Sequence, residues 1–150
     1  MRYLCGFSAL ILLVSAAAIS QVPRPLFVPS DQCMACHNSL ITATGNDVSI
    51  GFDWRPSMMA NSSRDPYWKA GVRREIMDHP GARAEIENEC AICHMPMAAF
   101  EHRTSNRKTP IFSLLAHDES TTRTGALASD GVSCTVCHQI TDEGMGLKES

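Results

Sequence analysis

The pentapeptide Cys-x-x-Cys-His occurs three times in this chain: at Cys33, Cys36 and His37, at Cys90, Cys93 and His94, and at Cys134, Cys137 and His138. Thiols three positions apart share one face of a helical turn. They can add across the two vinyl groups on one edge of a porphyrin. The His that follows then projects its imidazole onto the iron as proximal ligand. This is the attachment pattern of a c-type haem. The only other cysteine, Cys5, lies in the leader, so the three copies use every remaining thiol.

Two CxxC pairs can instead build a zinc ribbon, but zinc has no need of a His directly after each pair, and a third pair leaves a half-site over. A CxxC redox dithiol is usually single and sits in a βαβ setting that this sequence lacks. Disulfides would not require His in the same slot three times.

Residues 1–20 read as a signal peptide. Met1-Arg2 is a short positive start, Tyr3 to Val14 is apolar, and the small residues of 15–20 suit cleavage after Ala18 or Ser20. The competing reading is an uncleaved anchor of marginal length. Residues 21–29 contain Pro23, Pro25 and Pro29 and are expected to form an extended tether. One domain, 30–150, follows. The chain ends shortly after the third motif, so it is expected to be the N-terminal part of a longer multihaem protein.

Aromatic residues make up only 6% of the chain. A small side-chain core is therefore expected, with three haems supplying most of the apolar interior, each worth on the order of 10 kcal/mol of burial. The haem-free chain should be largely unfolded. With 13 basic and 16 acidic residues, the balance is mildly acidic, and the basic side chains are scattered. That argues against nucleic-acid binding. Some of the arginines are expected to pair with haem propionates.

The expected fold is mainly α, with short helices and long loops wrapped around covalently attached haems. Ser30 or Asp31 can cap a helix at the first motif. Residues 38–51 read as loop with a turn at Gly45-Asn46-Asp47, and 54–60 as a short helical turn. Asp65-Pro66 starts a helix whose Trp68, Val72 and Ile76 share one face, and His79-Pro80-Gly81 ends it. A second helix is expected over about 82–95, and 103–130 reads as polar and irregular. The motifs start at 33, 90 and 134, which is not a regular repeat.

Haem function turns on the sixth ligand, because a filled distal position favours electron transfer and an open one permits chemistry on a small molecule. The candidates are His79, His102, His117, Met58, Met59, Met95 and Met97. His79 sits at a helix end and reads as a cap or surface residue. Met95 and Met97 follow His94 too closely to reach its haem's far face, and read as packing around a macrocycle. His102 and His117 are each a possible ligand or a solvated side chain. Met58 and Met59 lie in a polar stretch without aliphatic neighbours, which suits a thioether ligand better than a core.

The order CxxCH, then Trp54-x-x-Ser57-x-x-Ala60, then CxxCH, then Gly131-Val-x-Cys-x-x-Cys-His138 resembles the multihaem cytochromes c related to the tetrahaem carriers of ammonia oxidation. Those in turn resemble parts of the hydroxylamine oxidoreductase and nitrite reductase group. The resemblance spans 33–138. In that family the second residue after the Ser of Trp-x-x-Ser is typically a distal His, and here it is Met59. The resemblance therefore implies Met59 as an axial ligand, and His/Met ligation raises a haem's potential relative to bis-His. It also implies export to the periplasm, since bacterial c-type haem is attached outside the cytoplasmic membrane. A fourth CxxCH is missing, as is the CxxCK that marks a catalytic haem in the nitrite reductase relatives. The resulting expectation is an exported triheme electron carrier serving redox partner proteins or further haem domains, with contact to a membrane only through an uncleaved leader. The alternative is an oxidoreductase, or a module of one, acting on a small nitrogen or sulfur oxyanion.

Overall fold

The computed structural model describes residues 25–116 and 121–143. The expected signal peptide, the start of the tether, His117 and residues 144–150 lie outside these. The described chain is mainly helical, and its β structure is one isolated antiparallel bridge between Ile41 and Asp47. None of the described helices is long and apolar enough to cross a membrane.

Nine α-helices are described: α1 (Ser30–Met34), α2 (Ile50–Trp54), α3 (Met58–Asn61), α4 (Pro66–Asp78), α5 (Arg83–His94), α6 (Pro96–Thr104), α7 (Ile111–Leu114), α8 (Arg123–Ser129) and α9 (Cys134–His138). The Asp65 carboxylate accepts from Tyr67 N at 2.9 Å and Pro66 opens α4, as the sequence predicts. Helix α4 stops at His79, and a 3-10 turn at Pro80–Ala82 leads into α5. Pro96 then starts α6 afresh. Its ring cannot continue α5, so the chain turns at Met95, which leaves helical geometry with φ −145° and ψ 59°.

Helices α4 to α8 pack around Val72, Ala91, Met95, Ala98, Ile111 and Ala128, with Trp68, Ile76 and Phe112 against them. A second cluster holds Phe27, Met97 and Leu127. The described residues therefore own a side-chain core, which the low aromatic content did not suggest. Alanines let the helix backbones approach closely, and unbranched methionines fill the gaps left between them. Met95 and Met97 are fully buried in it.

Three local expectations are corrected. Much of the region 103–130 is ordered as the end of α6 together with α7 and α8, and Ile111, Leu114, Leu127 and Ala128 are buried. Its few apolar residues are spaced to cover one side of α5 and α6, a pattern masked by the polar residues between them. The second correction concerns the tether, because 27–29 is docked. Phe27 is 7% exposed and meets Phe100 edge-on at 5.4 Å. Arg123 Nη2 donates to Phe27 O at 2.9 Å, and Thr135 Oγ1 to Val28 O at 3.2 Å. Ser30 does not cap α1. Its N and Oγ both donate to the Asp130 carboxylate, at 2.8 and 2.7 Å.

Candidate functional site

Each motif sits on a helical turn. His37 N donates to Cys33 O at 2.9 Å, Cys90 to His94 ends α5, and Cys134 to His138 makes up α9. In all three copies the first cysteine is half-buried and the second exposed. The first cysteine and the His of each copy line an apolar cleft, joined there by Cys93 and Cys137.

The first and third motifs face each other. Helices α1 and α9 pack together, and a cleft of about 580 Å³ holds Cys33, His37, Cys134, Cys137 and His138 between walls of Leu40, Val48, Ile50 and Trp54. That volume falls within the usual range for ligand pockets, about 300–1,000 Å³. Burial pushes the Cys33 thiol up, and the charge and hydrogen bond of the neighbouring Cys134 raise it further. Ser133 Oγ lines the same cleft and is, among the described residues, the buried side-chain polar atom without a partner.

The region holding this cleft together is non-local. Trp54 Nε1 donates to Val132 O at 3.3 Å, and Val132 N donates to Met59 O at 3.0 Å. Gly131 makes this approach possible. Its φ is +66°, and a Cβ there would lie 2.6 Å from Met59 O and 3.0 Å from Ala60 O. Only glycine tolerates both the left-handed backbone and the closeness.

The second motif lies apart. A cleft of about 550 Å³ between α4 and α5 is lined by Tyr67, Trp68, Val72 and Glu75 on one side and Glu89, Cys90, Cys93 and His94 on the other. Burial raises the Cys90 thiol, followed by the charges of Glu75, Cys93 and Glu89. His94 is held closely. Its Nδ1 lies 2.9 Å from Ser62 O, and a carbonyl can only accept, so Nδ1 carries the proton and Nε2 is left with the free lone pair. Ser62 Oγ returns a bond to His94 O at 2.9 Å, and the Trp68 indole lies flat on the imidazole, with centroids 4.2 Å apart and planes 6° from parallel.

Met59, 54% exposed, borders the shared cleft and also a neighbouring one of about 530 Å³ that contains His94 and Ser62. It therefore stands between the two regions. Met58 is more exposed still. His102 is buried in α6 with Nδ1 2.9 Å from Lys108 O, and it lines none of the clefts at the three motifs. His79 is exposed at the end of α4. Arg74, Arg83 and Lys108 are engaged with Asp78, Glu87 and Glu85.

The donor set suits covalent haem in its chemistry: two thiols and one imidazole per motif, apolar walls, and one orphan hydroxyl. Among the described residues no group of three or more His, Cys, Asp or Glu side chains is arranged to hold a bare metal ion. Sequence reasoning missed Ser62, Ser133 and the Ser30–Asp130 pair. It placed Trp68 on a helix face without its imidazole partner. Only the Gly131 that precedes the third motif hinted at a close approach. Comparisons with protein-family models, curated proteins and solved structures find no match to this chain.

Proposed function

We propose that this chain is an exported triheme cytochrome c that passes electrons between redox partner proteins or to further haem domains, working in the periplasm. The observation that carries the reading is the threefold recurrence of Cys-x-x-Cys-His, each copy on a helical turn at the rim of an apolar cleft, with the first thiol inward and the second outward. Cys33 and Cys36, Cys90 and Cys93, and Cys134 and Cys137 hold the three haems by thioethers, and His37, His94 and His138 are the proximal ligands. A bound haem supplies a one-electron couple. The chain's own residues would line the macrocycles with apolar side chains, orient the His94 imidazole and bring the first and third sites together in one cleft, which favours rapid electron exchange between them. Met59 would be available as a distal ligand to a haem, since it lies on the rim of the shared cleft and borders the His94 side as well. The short helices and loops wrap the haems.

The runner-up reading is an oxidoreductase with an open distal position. It is favoured by the lining of the second cleft, where Tyr67, Glu75 and Glu89 place a phenol and two carboxyl groups beside the motif.

Expression with a haem-attachment system, followed by haem counting and mass measurement of the mature chain, tests the proposal. Three covalent haems are expected. Optical and EPR spectra should then show low-spin haems indifferent to cyanide, nitrite and CO. A high-spin haem that binds these ligands transfers the assignment to the enzyme, and a chain that takes up no haem removes both.

A further inference from the structure

The three proximal histidines are not held alike. His37 and His138 are exposed. His94 is gripped on a face and an edge, by the Trp68 indole stacked on it and by the Ser62 carbonyl accepting from its Nδ1. An imidazole normally turns about its Cβ–Cγ bond over a broad range. An indole lying within 6° of parallel at 4.2 Å resists that rotation, because turning the ring would drive its edge into the indole face. The hydrogen bond sets the tautomer, and donation to a carbonyl makes the ring a stronger electron donor through Nε2.

We propose that Trp68 is a positioning residue of the second haem site. It sets the plane of the His94 imidazole and makes that haem electronically distinct from the other two. This rests on the haem reading above. The plane of an axial imidazole decides which iron d orbitals it overlaps, so a fixed ring gives a fixed ligand field. Trp68 also packs against the core, as a leucine there could do. A filler role requires bulk alone, whereas the flat stack requires an aromatic face.

The test starts by counting haems in the unmutated holoprotein, and fewer than three overturns the functional reading and this inference with it. In a chain with three haems, Trp68→Leu is expected to change the EPR g-values of one haem, because the His94 ring is then free to turn, and to move its midpoint potential upward as that turning weakens the Nδ1 hydrogen bond to Ser62 O. The other two haems should stay in place. Trp68→Phe should restore most of both signatures. A fully loaded Trp68→Leu protein with all three haems unchanged overturns the proposal while leaving the haem reading intact. If Trp68→Leu fails to load, the unmutated holoprotein labelled with ¹⁵N at its indoles decides. The Trp68 indole signal should shift and broaden on oxidation and follow the titration of a single haem, and an unshifted signal overturns the proposal.

Discussion

His94 ends a twelve-residue helix braced by another of thirteen, with its imidazole stacked and hydrogen-bonded. His37, three residues beyond α1, and His138, the last residue of α9, stand exposed across a cleft assembled from opposite ends of the described chain. The same pentapeptide thus has its histidine stacked and hydrogen-bonded in one place and left exposed beside a shared cleft in the other. The difference shows that the motif by itself does not decide how its histidine is held. Rigidity and neighbours come from whatever the rest of the chain packs against it.

The largest effect separating the two regions concerns haem content. Replacing Cys90 and Cys93 with Ser should remove one haem and leave the other two at full occupancy. Replacing Cys33 and Cys36 should also lower occupancy at the third motif, because both sites share one cleft. Haem per chain, measured by absorbance and mass, checks both. Equal, independent losses would break the comparison.

Next in size is Gly131→Ala. The left-handed backbone and the clash with Met59 O should cost roughly 1–3 kcal/mol or more, seen as a lower Tm. Spectral changes should be largest in the shared cleft, with a smaller change at the second motif, because the new Cβ would also lie 2.9 Å from Ser62 Oγ, which bonds His94 O. Asp130→Ala removes both acceptors of Ser30 and should cost about 1–3 kcal/mol, again loosening the first and third motifs together. Met59→Ala should alter the spin state or potential of one haem in the shared cleft. If only the second haem responds, Met59 serves the His94 side instead.

The smallest effect is one of thiol reactivity in the haem-free chain. Burial raises the Cys33 and Cys90 thiols, so at any given pH they carry less thiolate than an ordinary cysteine. Alkylation mapped by peptide mass should be slower at Cys33 and Cys90 than at the exposed Cys36 and Cys93, with the gap closing as pH rises. Uniform rates would show that the inward-facing pattern is lost without haem.

Helix α4 was legible because its signals are local. Asp65 and Pro66 begin it, Trp68, Val72 and Ile76 mark its face, and His79-Pro80 ends it. The limits of α5 followed for the same reason. Helices α7 and α8 were hidden, since four and seven residues are too few to show a period amid Ser and Thr. The docking of Phe27 was hidden too, because three prolines describe backbone stiffness and say nothing of a partner 73 positions away at Phe100.

Composition and motif spacing determined by themselves that the chain is mainly α, that six thiols and three imidazoles form three equivalent sets, and where each set starts. Those properties depend on neighbours within one helical turn, which sequence order states directly. Tertiary structure alone decided that the first and third sets share a cleft, that Gly131 must admit the backbone of Met59, and that Trp68 lies on His94. Each of these joins residues far apart or on different elements. Such contacts are set by which faces pack, and the packing of alanine- and methionine-rich helices leaves little trace in a linear pattern.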